Sequence, residues 1–344
     1  TVPKEKPEQF HSVRKDIESV GDFIRLWTTR NQRWASPKFL IGESYGTTRA
    51  AGLAGYLQDR RGFYLNGIIL VSSILNFLTA EFDPGNDLPY ILFLPSYCAA
   101  AWYHNKLDKE LQTDLRKTLA EVEKFAYDEY SLALMKGSRL KEKERIQIAS
   151  KLAQYTGLSQ EYIERSNLRI EINRFCKELR RSDGITIGRF DSRFTGFDRD
   201  SAGEHPEIDP SYAAVLGPFT AAMYDYLRRD LSYEIDQPYE ILSSVHETWN
   251  YDTFQNKYVN TAEELRKAFI LNPHLKVIVC SGYYDLATPY LASEYTFEHL
   301  EIPADLRKNI SMAYYEAGHM MYLHKASLVK LSGDLCRFIA DSAG

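Results

Sequence analysis

An apolar run, Phe39-Leu40-Ile41, meets Gly42-Glu43-Ser44-Tyr45-Gly46, and a stretch of small residues runs on from there. Residues 38–41 read as a buried strand, and residues 47–57 (TTRAAGLAGYL) as a helix whose small side chains suit close packing on a sheet. Gly-x-Ser-x-Gly between strand and helix is the pattern of a nucleophile elbow, a tight turn that lifts a serine hydroxyl above a sheet. The turn is crowded, so small residues are expected on both sides of Ser44, and Gly42 and Gly46 supply them. The helix after Ser44 would aim its first N–H groups and positive dipole end at the reacting centre. The plainer reading of Ser44 is an ordinary turn serine.

That junction points to an α/β fold. Residues 67–72 (GIILVS) form a second buried-strand pattern, and two such strands around one helix make a βαβ unit with parallel pairing. Strand patterns return at 276–281 and 310–315, with a helix over 289–300 between them and an amphipathic helix over 323–340 after them. Residues 1–15 are polar and read as a lead-in, and Ile17, Val20, Phe23, Ile24 and Trp27 give 16–34 a helical spacing. In between, the texture is helical over 90–107, 109–135, 140–155, 159–181 and 213–231. Residues 184–212, rich in Gly, Asp and Arg, read as a long loop with a short strand at 185–190. The expected organisation is a first core part over 1–77, a mostly helical insertion over 78–245 and a second core part over 246–344.

Composition narrows the function classes. The 344 residues are 44% hydrophobic with a net charge of −5, which leaves no electrostatic footprint for nucleic acid. No apolar run reaches the length of a membrane span. Cys98, Cys176, Cys280 and Cys336 are scattered without zinc spacing, so no metal or cofactor is expected; Cys98 and Cys176 could bridge if they share a subdomain. Asp198, Asp200, Gly203 and Asp209 follow calcium-loop spacing, but Ala202 and Pro206 stand at ligand positions, and a solvated acidic loop is the simpler reading. Trp102, Trp249 and the many tyrosines could line a cleft, although core or surface packing explains most of them.

A serine nucleophile needs a base, and the base needs an acid to orient it. Asp285 lies just past strand 276–281, and His319 just past strand 310–315, where an open α/β sheet places its site. The order Ser, Asp, His is that of α/β-hydrolases. Asp285 could instead be a turn or capping residue and His319 a structural loop histidine. Of the other seven histidines, His11, His104, His205, His246, His274, His299 and His324, none follows a C-terminal strand so directly.

Gly42-Glu43-Ser44-Tyr45-Gly46, the Gly-x-x-Asp-x-x-x-Pro segment ending at Pro289, and Gly318-His319-Met320 together resemble the serine carboxypeptidases, with Glu43 the discriminating residue. The resemblance covers roughly residues 16–77 and 265–344, and the Phe-Ile-Arg-Leu-Trp helix looks like the bacterial branch. It implies an α/β-hydrolase core with a helical cap and a catalytic Ser44, His319 and Asp285. The Tyr45 backbone N–H would be one oxyanion donor, and Glu43 would help bind the carboxylate of a peptide substrate. Two carboxylates share a site only if one is protonated, so acidic pH is expected to favour such binding. Glu43 could also merely hydrogen-bond within the elbow.

Family members also imply an exported location, periplasmic or secreted. Departures are Gly46-Thr47 for Ala-Gly, Tyr283 for an Asp, and Met321 after His319-Met320. The family's Asn-Gly-Gly-Pro-Gly segment, which supplies the second oxyanion N–H, has no counterpart here, so the N-terminal strands are expected to be missing from this chain or supplied by a separate segment or chain, leaving an exposed sheet edge. The alternatives are an esterase or aminopeptidase-like hydrolase, and a non-catalytic peptide-binding fragment.

Overall fold

Helix α1 (Val13–Arg30) leads the fold in the computed structural model, which describes residues 6–343 apart from 237, 240, 243 and 244. Its cap is Ser12, whose side chain accepts from the Lys15 N–H. The apolar run becomes β1 (Phe39–Ser44), followed by α2 (Tyr45–Arg61) and β2 (Gly67–Ser73), every residue of which is buried. β1 and β2 pair in parallel with Phe39 opposite Gly67. The strand–helix–strand unit is thus as the apolar pattern predicts, with β1 extended through the serine.

The long middle segment carries α3 (Leu88–Tyr103), α4 (Leu115–Phe125), α5 (Ser131–Lys136), α6 (Glu142–Thr156), α7 (Gln160–Arg165) and α8 (Ile172–Glu178). A small antiparallel ribbon of β3 (Thr186–Ile187) and β4 (Thr195–Gly196) follows, then α9 (Pro210–Arg229) and the short α10 (Val245–Thr248). α3 is nearly all apolar and lies buried at the centre of a core built with α4, α6 and α8. That core continues onto Tyr283, Tyr284 and Tyr290, so the helical segment is seated on the end of the sheet rather than beside it.

The sheet resumes after α11 (Ala262–Leu271) with β5 (Lys276–Gly282), α12 (Tyr290–Glu298), α13 (Ala304–Arg307) and β6 (Ile310–Tyr315), and α14 (Lys325–Ala343) closes the described chain. The strand order is β1-β2-β5-β6, all parallel. Side-chain alternation divides the two faces. Ile68, Leu70, Val277 and Val279 pack under α2 and α11, while Ile69, Val71, Ile278 and Cys280 pack under α14. Among the described residues no strand covers the outer edge of β1, where Ile41 is 64% exposed. An α/β architecture with both faces of a parallel sheet covered is therefore established.

Three sequence expectations need correction. The helix over 159–181 is broken into α7 and α8, because Asn167 and Leu168 take positive φ values of 51° and 64°. Burial of Leu168 and the bond its carbonyl accepts from Tyr130 Oη (2.5 Å) hold that turn against helix propensity. Cys98 and Cys176 do not bridge: both are buried free thiols, packed as small apolar side chains. The acidic loop is not simply solvated. Asp198 pairs with the buried Lys177 at 2.6 Å, Asp200 accepts from the Ala202 and Gly203 N–H groups, and Asp209 caps α9. Among the described residues no helix is long and apolar enough to cross a membrane.

Candidate active site

Ser44 sits where β1 turns into α2, with φ 55° and ψ −127°. A non-glycine residue held there stores about 1–3 kcal/mol of strain, a cost that persists where the surrounding structure over-determines the turn. The pinning is visible. Thr47 Oγ1 donates to Ser44 O at 2.6 Å and accepts from Ile74 N at 2.9 Å, and Thr48 Oγ1 donates to Ile74 O at 2.6 Å. Both threonines therefore tie the start of α2 to the end of β2. From outside, Asp16 of α1 takes Arg49 in two bonds of 2.8 and 2.9 Å and accepts from Tyr45 Oη at 3.0 Å. Trp249 stands edge-on to the Tyr45 ring at 5.4 Å.

The two glycines of the motif are not equivalent. A Cβ on Gly42 would come within 2.1 Å of Gly46 O, whereas a Cβ on Gly46 would meet nothing within 4 Å. The requirement for a small residue on both sides of the serine thus holds for Gly42 alone.

Asp285 and His319 meet at the ends of β5 and β6. His319 Nδ1–H donates to Asp285 Oδ2 at 2.8 Å, with Asp285 fully buried and His319 4% exposed. The carboxylate also accepts from Ala287 N (2.7 Å), Thr288 N (3.0 Å) and Thr288 Oγ1 (2.7 Å). Asp285 is therefore at once the partner of the imidazole and the capping residue of its own turn. Fixing the proton on Nδ1 leaves Nε2 as the basic atom.

The His319 carbonyl accepts from Ser72 Oγ at 2.6 Å, which draws the histidine loop across the end of β2 toward β1. Among the described residues the Ser44 hydroxyl makes no hydrogen bond; contacts of this kind are often long before substrate arrives. Tyr45 N is at the first position of α2, where helical N–H groups lack an intrahelical acceptor.

Glu43 faces the same centre. Tyr322 Oη contacts both its oxygens, at 3.0 and 3.1 Å. Burial pushes its carboxyl above the ordinary range and the Asp285 charge adds to that, while the His319 charge and the Tyr322 bond oppose it. His319 is subject to the converse balance: burial lowers its basicity, but the Asp285 charge and bond, with Glu43 behind them, raise it above the ordinary value.

The sequence reading missed Thr288, Ser72 and Tyr322. Only Tyr322, three residues past His319, carried a signal, as a phenol close to a candidate base. Other histidines are engaged elsewhere: His104 bonds Ser192 O, and His324 bonds Ser327 Oγ.

No model of a protein family matches the chain, and no curated protein matches it. Among solved structures, one titled "Crystal structure of VinJ" aligns over 99% of this chain and 77% of its own at 12% identity, with a TM-score of 0.37. A likeness that loose carries no argument about fold or activity.

Proposed function

We propose that the chain is a serine hydrolase of the α/β-hydrolase type, acting on the C-terminal bond of peptides in the manner of a serine carboxypeptidase. The observation that carries this reading is a Ser44 at positive φ at a strand-to-helix turn, on the same parallel sheet whose β5 and β6 ends hold the buried Asp285–His319 contact of 2.8 Å. In this reading Ser44 Oγ attacks the scissile carbonyl as its proton passes to His319 Nε2. The Tyr45 N–H steadies the oxyanion. Collapse breaks the C–N bond, the Nε2 proton goes to the departing amine, and water repeats the sequence on the acyl-enzyme.

Glu43 supports the choice of a substrate with a free carboxylate. An incoming carboxylate would raise the Glu43 pKa further, and the protonated acid can then donate to it. The His319 charge opposes that rise, so Glu43 responds both to the substrate carboxylate and to the protonation of His319.

A second reading, a non-catalytic peptide-binding piece, is favoured by the open outer edge of β1 and the empty space at Gly46. Labelling with a fluorophosphonate decides between them. Covalent modification of Ser44, lost in Ser44→Ala, together with release of the last residue from an N-blocked dipeptide, is the expected result. No labelling of the intact protein refutes the hydrolase reading. Turnover of a simple ester without the dipeptide redirects it to an esterase.

A further inference from the structure

We propose that the hairpin over residues 188–194, with the buried carboxylate of Asp191 at its centre, is the positioning element that sets Asp285 and His319 against each other. This rests on the hydrolase reading above. The hairpin is the tip of the β3–β4 ribbon, contributed by the helical segment and not by the sheet. It grips the histidine loop at three successive points. Arg193 Nη1 donates to Glu316 O at 2.9 Å, Gly318 N donates to Asp191 Oδ2 at 3.1 Å, and His319 N donates to Phe190 O at 2.6 Å. The Phe190 ring also lies 5.2 Å from the imidazole.

The same few residues bracket Asp285. Leu286 N donates to Arg189 O at 3.0 Å, and Ser192 N donates to Tyr284 O at 3.0 Å. One short hairpin thus holds the residue on each side of the acid and the two residues that end in the base.

Asp191 gives the hairpin its rigidity. It is 3% exposed, accepts from Arg193 Nε at 2.9 Å and Nη2 at 2.7 Å, and accepts from Arg193 N at 3.1 Å. A planar two-point ion pair of this kind fixes orientation as well as distance. The entry to the hairpin is fixed by Asp209, which accepts from Arg189 N and Phe190 N at 3.2 and 3.3 Å. The histidine loop is pressed hard against it: a Cβ on Gly318 would fall 2.4 Å from Asp191 Cβ and 2.5 Å from Phe190 O. Gly318 thereby allows the close approach that the Asp191 bond needs.

Neutralising the carboxylate while keeping its shape, Asp191→Asn, puts an NH2 group either at the Oδ2 position, facing Arg193 Nη2 and Gly318 N, or at the Oδ1 position, facing Arg193 Nε and N, so one of the two pairs of contacts is lost. A displacement of about 1 Å at the catalytic pair costs on the order of a hundredfold.

The test compares wild type, Asp191→Asn and the milder Arg193→Lys, each checked for an unchanged urea midpoint. The expected result is a fall of about 10- to 100-fold in the rate of fluorophosphonate labelling at Ser44 for Asp191→Asn, less for Arg193→Lys. The midpoint of the labelling pH profile should also move down as His319 loses its hold on Asp285. A folded Asp191→Asn protein with wild-type labelling rate and midpoint overturns the proposal while leaving the hydrolase reading intact. If wild-type Ser44 takes no label, that reading fails instead. The low-field proton resonance of the His319–Asp285 bond then decides: loss or broadening in Asp191→Asn upholds the positioning role, and an unchanged resonance refutes it. Should Asp191→Asn not fold, the same resonance and profile are read in Arg193→Lys.

Discussion

Glu294 on α12 gives the sharpest stability prediction. Its carboxyl accepts a hydrogen bond from Tyr314 Oη, and it is packed near Glu123 of α4, whose Oε1 accepts from Tyr290 Oη at 2.6 Å. The Arg116 guanidinium lies over Tyr283 and Tyr314, 4.9 and 5.5 Å from the ring centres. Burial of Glu294 is the largest influence and raises its pKa; the Glu123 and Glu298 charges add to that, while the Tyr314 bond and Arg116 oppose it. The net result is a shift from 4.5 to about 7. Between those two values the folded protein holds a proton that the unfolded chain has released, so stability falls as pH rises through the interval. At about 1.4 kcal/mol per pH unit the total loss has an upper limit of about 3 kcal/mol.

Glu294→Gln keeps an acceptor for Tyr314 and removes the charge. It is expected to match wild type near pH 4.5 and to exceed it by about 1–3 kcal/mol at pH 8. Urea unfolding at both pH values, followed by tryptophan fluorescence, measures the difference with m unchanged. Parallel loss of stability in the two proteins between pH 5 and 8 would refute the reasoning, since the titrating group would then not be Glu294.

The glycines of the elbow should separate under substitution. Gly42→Ala forces a Cβ to within 2.1 Å of Gly46 O and should cost roughly 3 kcal/mol or more, while Gly46→Ala should gain about 0.5 kcal/mol; similar thermal midpoints for the two variants would contradict the geometry. Asp285→Asn puts the imidazole proton on the wrong nitrogen, and labelling of Ser44 should fall by about four orders of magnitude; a wild-type labelling rate would exclude the acid role. Because burial raises the Glu43 pKa, the protonated form persists to higher pH than for an ordinary carboxyl, and affinity for a free-carboxylate peptide should weaken as pH climbs through that value. Glu43→Gln should flatten the KM profile, and a carboxamide-ended peptide should show no such limb in wild type; identical profiles for peptide and carboxamide would count against a carboxylate site.

Much of the sheet was legible because burial on both faces writes itself as continuous apolar runs. β2 and β6 begin where the sequence pattern begins them. α11 carries a helical spacing in Ala262, Leu265, Ala268 and Phe269 that is masked by its place between a segment rich in Tyr, Asn and Thr and a strong strand. The break at Asn167–Leu168 had no local signature, since a leucine at positive φ is a choice made by the core around it. Ser44, Asp285 and His319 were readable for a different reason: each stands at the C-terminal end of a strand, so position along the chain already gives position in space.

The hairpin that holds Asp285 and His319 could not be read in that way. Three of its contacts run through the backbone, to or from Arg189 O, Phe190 O and Ser192 N, and a backbone carbonyl or N–H places almost no demand on residue type. Asp191, Arg193 and Gly318 are constrained by chemistry, the first two by a buried ion pair and the third by a Cβ that would not fit. The ion pair and Gly318 lie in segments far apart in the chain, the pair in a loop rich in Gly, Asp and Arg, where another aspartate or arginine carries no weight as a signal. The geometry of the Asp285–His319 pair therefore depends on a part of the chain that strand and motif patterns describe as an insertion. Its removal or replacement as a dispensable cap should disturb the Asp285–His319 contact before it disturbs the sheet, because β2 and β5 pair with each other and pack under α2, α11 and α14, which lie outside that segment.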